Sequence, residues 1–467
     1  MWSLRGLTDV VLIFPYFDDG RSKIFKFPPL GIGYIASYLR DNGYSVKIID
    51  CTFMSWEEAL HEAKAAKPRV VGVYSMLSMV KPALRFGREL RGCCELLVAG
   101  GPMPSAYPQK FLGVFDVVVQ GEGEETMLEI MRSLDGDMRI DEVKGIHITG
   151  RALEILPVAK VANGGGPIFT GKRPLIKNLD KLPFPARDLY NNKAYKEYYR
   201  RNYGYTITSM IASRGCPFCC DFCWRPDYGR VYRVRSPENI VDEMEEIVYR
   251  FGYERIWFAD ELFIANKKHV LRICEEIKRR GLKTLWECLA RVDLMDWDLA
   301  KAMKEAGCHK IIFGLESGDN RVLKLMNKRI TVEQSRRAVE IAVKAGIRVG
   351  AFFILGYPGE TDETMLNTIR FASSLPLDYF SMTIPYPLPG TGLYEKVKDR
   401  MISEEWEKPM HGYDHKLLFK HDFTIEKLRY GMWIAKTRAK LRKRLGPLYA
   451  LLKPWEIYTE HKFRRMQ

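Results

Sequence analysis

A chain of 467 residues is long enough for two or three domains, and 46 % hydrophobic with 12 % aromatic residues supplies material for large cores. No apolar run approaches the roughly 18 residues that would span a bilayer, which argues against an integral helical membrane protein. The formal charge of +15, from 73 basic and 58 acidic side chains, points to an acidic partner, nucleic acid or an anionic membrane surface without choosing among them.

Residues 1–139 read as one α/β domain of alternating strands and helices. Asp9-Val-Val-Leu-Ile-Phe14 is an apolar run of buried-strand length. Pro28-Pro-Leu-Gly-Ile-Gly33 opens a helix with Ile32, Ile35, Ala36 and Leu39 at helical spacing, and Gly43 ends it. Val46–Asp50 is the next strand, and Ser55 with Glu58 forms a capping box for a second helix. Strands at Val70–Tyr74, Leu96–Ala99 and Asp116–Val119 complete five strands of a doubly wound parallel sheet. Ligands in such sheets sit beyond the carboxyl ends of the strands. The loops leaving those ends carry Phe14-Pro-Tyr-Phe17, Ser75-Met-Leu77, Gly100-Gly-Pro-Met103 and Gly121-Glu-Gly-Glu124.

Residues 140–205 read as a connector, with a hairpin fragment at Gly145–Arg151, a loop at Gly164–Pro167 and a proline-rigid stretch at Leu182–Tyr190. The tyrosine-rich run from Tyr195 to Tyr205 suits a cavity wall or a domain interface. From 206 to 399 strands and helices alternate again, with strands at Thr206–Ala212, Arg255–Phe258, Thr284–Leu289, Lys310–Gly314, Val349–Leu355 and Phe380–Ile384. Ser236-Pro-Glu places a cap and an N1 proline at one helix start. Residues 400–467 form a basic helical tail in which Pro447 and Pro454 are expected to break the helix. That tail suits an interfacial helix on anionic lipid, a docking surface for an acidic protein, or a helix laid across the mouth of the preceding domain with its charges solvated.

The sulfur chemistry of one loop organises the rest. Ser213-Arg-Gly-Cys-Pro-Phe-Cys-Cys-Asp-Phe-Cys-Trp224 places Cys216, Cys220 and Cys223 in a C-x3-C-x2-C spacing. Thiolates this close can converge on a single centre, and soft sulfur favours an iron–sulfur cluster or zinc over hard cations. A structural zinc site would want a second C-x2-C or an H-x3-H pair, and none follows within the next forty residues. Disulfides suit the chain less. Met1-Trp-Ser-Leu-Arg-Gly6 shows no long apolar stretch, and the other cysteines are scattered singly apart from Cys93-Cys94, as in a reducing compartment. The expectation is a cytoplasmic protein, at most peripheral to a membrane. Cys219 falls outside the three-ligand spacing and reads as a bystander.

This loop, arriving after the strand-like run Tyr205–Ala212, resembles the signature of the radical-SAM superfamily. The resemblance implies a four-iron, four-sulfur cluster held by Cys216, Cys220 and Cys223, with S-adenosylmethionine (SAM) chelating the open iron. It also implies a partial (β/α)6 barrel with its chemistry at the carboxyl ends of the strands. Phe222 would then touch SAM. Asp260, in Asp260-Glu-Leu-Phe263, would take the SAM amino group, and Arg291 its carboxylate. Glu316 and Ser317 would meet the ribose hydroxyls, while Gly356 and Pro358, in Gly356–Thr361, would allow close approach of the adenine.

The first domain resembles the cobalamin-binding domain, on Ser75-x-Leu77 and Gly100-Gly101 at consecutive strand ends and on Pro28-Pro-Leu-Gly-x-x-Tyr34 at the first helix. The residues alone also fit a flavodoxin-like domain that has lost its ligand. The resemblance implies cobalamin contacts at Pro15, Tyr16, Leu30, Gly31, Ser75, Met76, Leu77, Gly100, Gly101, Pro102, Gly121, Glu122, Gly123 and Glu124. The better-known branch of that family ligates cobalt through the histidine of D-x-H-x-x-G. The loop after the first strand here has no histidine, so the expected form is His-off cobalamin, as in the cobalamin-dependent radical-SAM branch.

What this branch implies is C-methylation of an unactivated, sp3 carbon of a protein side chain, lipid or natural product. A 5′-deoxyadenosyl radical abstracts hydrogen, methylcobalamin delivers the methyl group and a second SAM restores it. A ferredoxin or flavodoxin is the expected one-electron reductase, and the basic tail favours a large or anionic substrate. Cobalamin-assisted cyclisation or oxidation of a tetrapyrrole is the alternative. A tRNA methylthiotransferase would want a cysteine near the first strand and a small β-barrel tail, so no stable nucleic-acid partner is expected. Tyr386 and Tyr394 are substrate-side candidates by position alone.

Overall fold

The computed structural model describes residues 8–18, 26–157, 167–225, 230–403 and 417–466. The Gly164–Pro167 loop lies largely outside these residues.

Two α/β sheets carry the fold. The first comprises β1 (Val10–Phe14), β2 (Val46–Asp50), β3 (Val70–Tyr74), β4 (Leu96–Gly100), β5 (Val117–Val119), β6 (Ile146–Ile148) and β7 (Ile168–Phe169). Their spatial order is β2-β1-β3-β4-β5-β6-β7, parallel through β5 and antiparallel beyond it. Helices cover both faces, so the central strands are near-continuous apolar runs whose side chains fill separate cores on the two sides. The order reverses at β1, whose neighbours β2 and β3 lead away in opposite directions. That switch point opens the crevice beyond Phe14 and Tyr74.

The five expected parallel strands form, at the expected places to within a residue. The correction is at the edge, where the segment read as a connector adds β6 and β7 and makes the sheet seven-stranded. β7 is only two residues long, too short to leave a periodic signal.

The second sheet contains β8 (Ile207–Met210), β11 (Arg255–Phe258), β12 (Leu285–Ala290), β13 (Cys308–Glu316), β14 (Arg348–Ile354) and β15 (Tyr379–Thr383), all parallel and in chain order. β8 and β15 are edge strands, so this is an open, partial barrel. Between β8 and β11 a two-stranded ribbon, β9 (Ser213–Arg214) against β10 (Arg233–Val234), closes the base of the cysteine loop.

Buried ion pairs tie the two units together. Arg187, from the proline-rigid segment, donates to Glu243 at 2.5 Å, and Arg235 joins the same carboxylate while reaching Tyr34 of the first helix.

The tail forms helices at Ile425–Leu445 and Lys453–Arg465 joined by a 3-10 turn. Pro454 starts the second helix at its first turn, where the missing N–H costs nothing, so it does not end helical structure as expected. The tail packs along the Asp362–Ser374 helix. A Cβ on Gly431 would stand 2.9 Å from the side chains of Leu355 and Phe463, so the glycine makes for close packing of the tail there. Lys427 is buried against Asp362 at 2.8 Å and Arg438 against Glu460 at 2.8 Å, so part of the basic charge is internal rather than solvated.

Candidate active site

The cysteine loop leaves β8 through the β9–β10 ribbon and is pinned both by its own Arg225 and by side chains from later strand ends. Arg225 donates to the carbonyls of Cys216 and Phe218 at 2.6 and 2.5 Å. Arg291 lies over the Phe218 ring, bonds Lys328 O at 2.7 Å and points one nitrogen at Cys220 Sγ, 3.6 Å away. Asn327 holds Cys219 O at 2.8 Å, and the Asp221 N–H donates to Met326 O. Burial pushes the Cys216 thiol up and the Cys223 thiol to about 11, with the Arg225 guanidinium pulling both back. Thiols ligate as thiolates, so these cations favour the ligating form. Among the described residues no three metal-binding side chains cluster tightly enough for a single ion.

The other strand-end residues fall around this loop with unequal freedom. Asp260 is fully buried beyond β11 and accepts from the Ala212 N–H and Ser213 Oγ. Burial raises its carboxyl to about 7. Its neighbour Glu261 accepts from the Gly215 N–H at 3.1 Å and lines the cavity described below. Glu316 sits at φ +62°, a costly conformation for a non-glycine residue, and pairs with Lys328 at 2.8 Å. Phe222 packs beside Tyr357 and Leu393. Ser317 is drawn into the core, its hydroxyl 2.8 Å from Thr368 Oγ1 and accepting from the Asp319 N–H. Gly356 lies at φ +85°, but the atoms a Cβ would meet are Leu428 and His421 of the tail, at 2.7 and 2.9 Å. The positive φ by itself favours glycine there, and these tail side chains pack against it as well. Pro358 follows in the same turn, half-buried.

A cavity of about 850 Å³ opens at the switch point of the first sheet. Of the expected contacts, Leu30, Gly31, Met76, Leu77, Gly100, Gly101, Pro102 and the Gly121–Glu124 turn line it. Pro15, Tyr16 and Ser75 do not. Ser75 is fully buried, with its N–H on Gly100 O and its carbonyl taking the Met103 N–H. The cavity runs inward past Leu12, Gly72 and Val98 and outward to Ser213, Arg214, Trp224, Arg225 and Glu261 of the barrel. Both sheets therefore share one wall.

A Radical SAM superfamily profile matches residues 210–372, and a B12 binding domain profile matches residues 24–131. The chain is 34 % identical over 411 residues to an uncharacterized methyltransferase of Pyrococcus horikoshii, covering 85 % of each protein. The chain belongs to the cobalamin-dependent radical-SAM family. It is 28 % identical to the anaerobic magnesium-protoporphyrin IX monomethyl ester cyclase of Rubrivivax gelatinosus, over 85 % of this chain and 72 % of that one. Its fold matches the radical SAM methyltransferase TsrM of Kitasatospora setae, determined with cobalamin and a 4Fe-4S cluster, with a TM-score of 0.69 at 21 % identity, over 84 % of this chain and 75 % of that one.

As a cobalamin-dependent radical-SAM enzyme the chain offers residues that fit both groups. Cys216, Cys220 and Cys223 supply three thiolates on one loop. The cavity is shaped by glycines where a side chain would intrude: a Cβ on Gly101 would lie 2.9 Å from Ser75 O, and one on Gly72 would lie 2.8 Å from Leu12.

Arg214, Trp224, Arg225, Glu261 and Lys328 were not singled out from sequence. Arg214, Trp224 and Arg225 flank the cysteines directly, which was the available signal. The carboxylates of Glu122 and Glu124 close on arginines of the β9–β10 ribbon rather than standing open in the cavity. No helix of the described residues is long and apolar enough to cross a membrane.

Proposed function

We propose that the chain is a cobalamin-dependent radical-SAM C-methyltransferase that replaces hydrogen on an unactivated, sp3 carbon with methyl. The supporting observation is the shared wall, where Ser213, Arg214, Trp224 and Arg225 of the cluster loop line the same cavity as Leu77, Gly100 and Gly101. When bound, cobalamin supplies methyl transfer to a carbon radical that SAM cleavage at the cluster provides.

The chain's own part is placement. Cys216, Cys220 and Cys223 hold the cluster. Arg225 and Arg291 fix its loop and set positive charge beside the thiolates. Asp260 anchors the start of the loop through Ala212 and Ser213. Glu261 turns a carboxylate toward the cavity for a cationic group, and the Glu316–Lys328 pair offers both signs beyond β13. A ferredoxin- or flavodoxin-type reductase would supply the electrons.

The test is turnover with SAM carrying a deuterated methyl group, a chemical reductant and candidate extracts. Methyl transfer predicts that S-adenosylhomocysteine and 5′-deoxyadenosine accumulate together and that one product gains the labelled methyl. Formation of 5′-deoxyadenosine with an unlabelled, ring-closed product would favour the cyclase chemistry named for the Rubrivivax relative.

The substrate reading favours a lipid at an anionic surface. Residues 425–467 carry twelve basic and three acidic side chains, nine of the chain's fifteen net positive charges. Leu448 and Leu451, at the tip joining the two tail helices, are 63 % and 76 % exposed beside Lys443 and Arg444. Co-sedimentation with phosphatidylglycerol vesicles, lost in Leu448→Glu/Leu451→Glu and absent with phosphatidylcholine vesicles, is the expected result. Equal binding by that variant would contradict it.

A further inference from the structure

The Gly121-Glu-Gly-Glu124 turn of the cobalamin domain grips the cluster loop of the barrel. Arg214 stands two residues before Cys216 and donates to Glu122 Oε1 at 2.6 Å and to Glu124 Oε1 at 2.5 Å. Arg233, its cross-strand partner in the β9–β10 ribbon, donates to both oxygens of Glu122 at 3.0 and 2.9 Å. Glu122 Oε2 also takes the Ile176 N–H at 2.8 Å, and Arg214 lies over the Tyr34 ring of the first helix. All four charged side chains are buried. Charges desolvated in this way hold a narrow geometry, because any displacement leaves one of them unpaired away from water. The same turn, with Arg214, lines the 850 Å³ cavity. One face of the clamp therefore meets whatever fills the cavity, and the other continues within two residues to a cluster ligand.

We infer that the Glu122–Arg214–Glu124 clamp is a positioning device that couples the two cofactor sites, so that loading the cluster raises the affinity for cobalamin and loading cobalamin alters the cluster. The inference rests on the two-cofactor reading but goes beyond it, since two independently filled sites would serve methyl transfer equally well. A change at the cluster shifts Cys216 and with it the ribbon. Arg214 passes the shift to Glu122 and Glu124, and these move the Gly121 and Gly123 backbone at the cavity wall. Binding free energies obey reciprocity, so the coupling must be readable from either side.

The experiment measures hydroxocobalamin affinity by optical titration of the anaerobic full-length chain, once with the cluster reconstituted and once without iron. Glu124→Gln and Arg214→Lys are titrated in parallel. Glu124→Gln leaves Glu122 between both arginines and is the milder variant, while Arg214→Lys keeps the charge but loses the fork. The wild type should bind at least about fivefold tighter with the cluster loaded, and the ratio should fall to about one in both variants. With the cluster left oxidised, the iron lost to a chelator over a fixed time should fall on adding hydroxocobalamin in the wild type and stay unchanged in the variants. A merely structural pair would weaken both affinities together and leave the wild-type ratio intact, which overturns the inference while the methyl-transfer reading survives. Failure of the wild type to bind cobalamin in either form overturns both.

Discussion

Glu360 Oε2 accepts the N–H groups of Gly356 and Tyr357 at 2.6 and 2.7 Å, so one buried carboxyl shapes the turn that leaves β14. Burial pushes that carboxyl up to about 8 from an ordinary 4.5. With the folded value above the unfolded one, the folded chain keeps a proton that the unfolded chain has released. Stability is therefore lost as pH rises from about 4.5 through 8 and changes little from this group beyond that. Asp260, raised to about 7, acts with the same sign. Glu360→Gln cannot ionise yet keeps an acceptor oxygen, so its melting temperature should fall less than the wild type's between pH 6 and pH 9. Equal falls would contradict this assignment.

Gly356→Ala should destabilise the chain by about 1–3 kcal/mol, because φ there is +85° and the added methyl would press on Leu428 and His421. Thermal or denaturant unfolding reads it directly. Removing the tail's pressure with Leu428→Ala should recover part of the loss in the double variant, as expected for residues in contact.

Cys216→Ala, Cys220→Ala and Cys223→Ala should each abolish the iron–sulfur absorbance after reconstitution, whereas Cys219→Ala should retain it. Cys219 is held by Asn327 through its carbonyl, which an alanine keeps. Iron analysis per chain separates the two outcomes, and loss of iron in Cys219→Ala would place that thiol among the ligands.

The strands were legible because buried parallel strands are continuous apolar runs, and the C-x3-C-x2-C motif because its spacing is local. What the sequence hid is long-range. Arg214 and Glu122 are 92 residues apart and Arg233 and Glu122 are 111 apart, so nothing local marks those carboxylates as an arginine clamp rather than ligand contacts. The Ser317 hydroxyl turns toward Thr368, 51 residues on, and no pattern around Gly314–Gly318 shows that. The packing of Leu428 and His421 against Gly356 is equally long-range and leaves no local mark. The inner cavity wall at Leu12 and Gly72 looks like any strand interior until the helices are in place.

Gly31→Leu should weaken cobalamin binding at least tenfold without loss of stability, a change of about 1.4 kcal/mol in binding. Gly31 lies in the first turn of the Leu30–Asp41 helix and lines the cavity, and a Cβ there meets nothing within 4 Å. Leucine is also a better helix former than glycine. Optical titration with hydroxocobalamin beside a melting curve checks both halves of the statement. Unchanged affinity would move the corrinoid away from this helix.

The most direct test of the two-cofactor account is metal and corrinoid analysis of the anaerobically reconstituted full-length chain, by iron assay and by mass spectrometry of extracted cofactor. The account predicts about four irons and about one cobalamin per chain. A four-iron cluster with no cobalamin retained, even after reconstitution in its presence, would contradict it and leave a radical-SAM enzyme whose first domain holds no corrinoid.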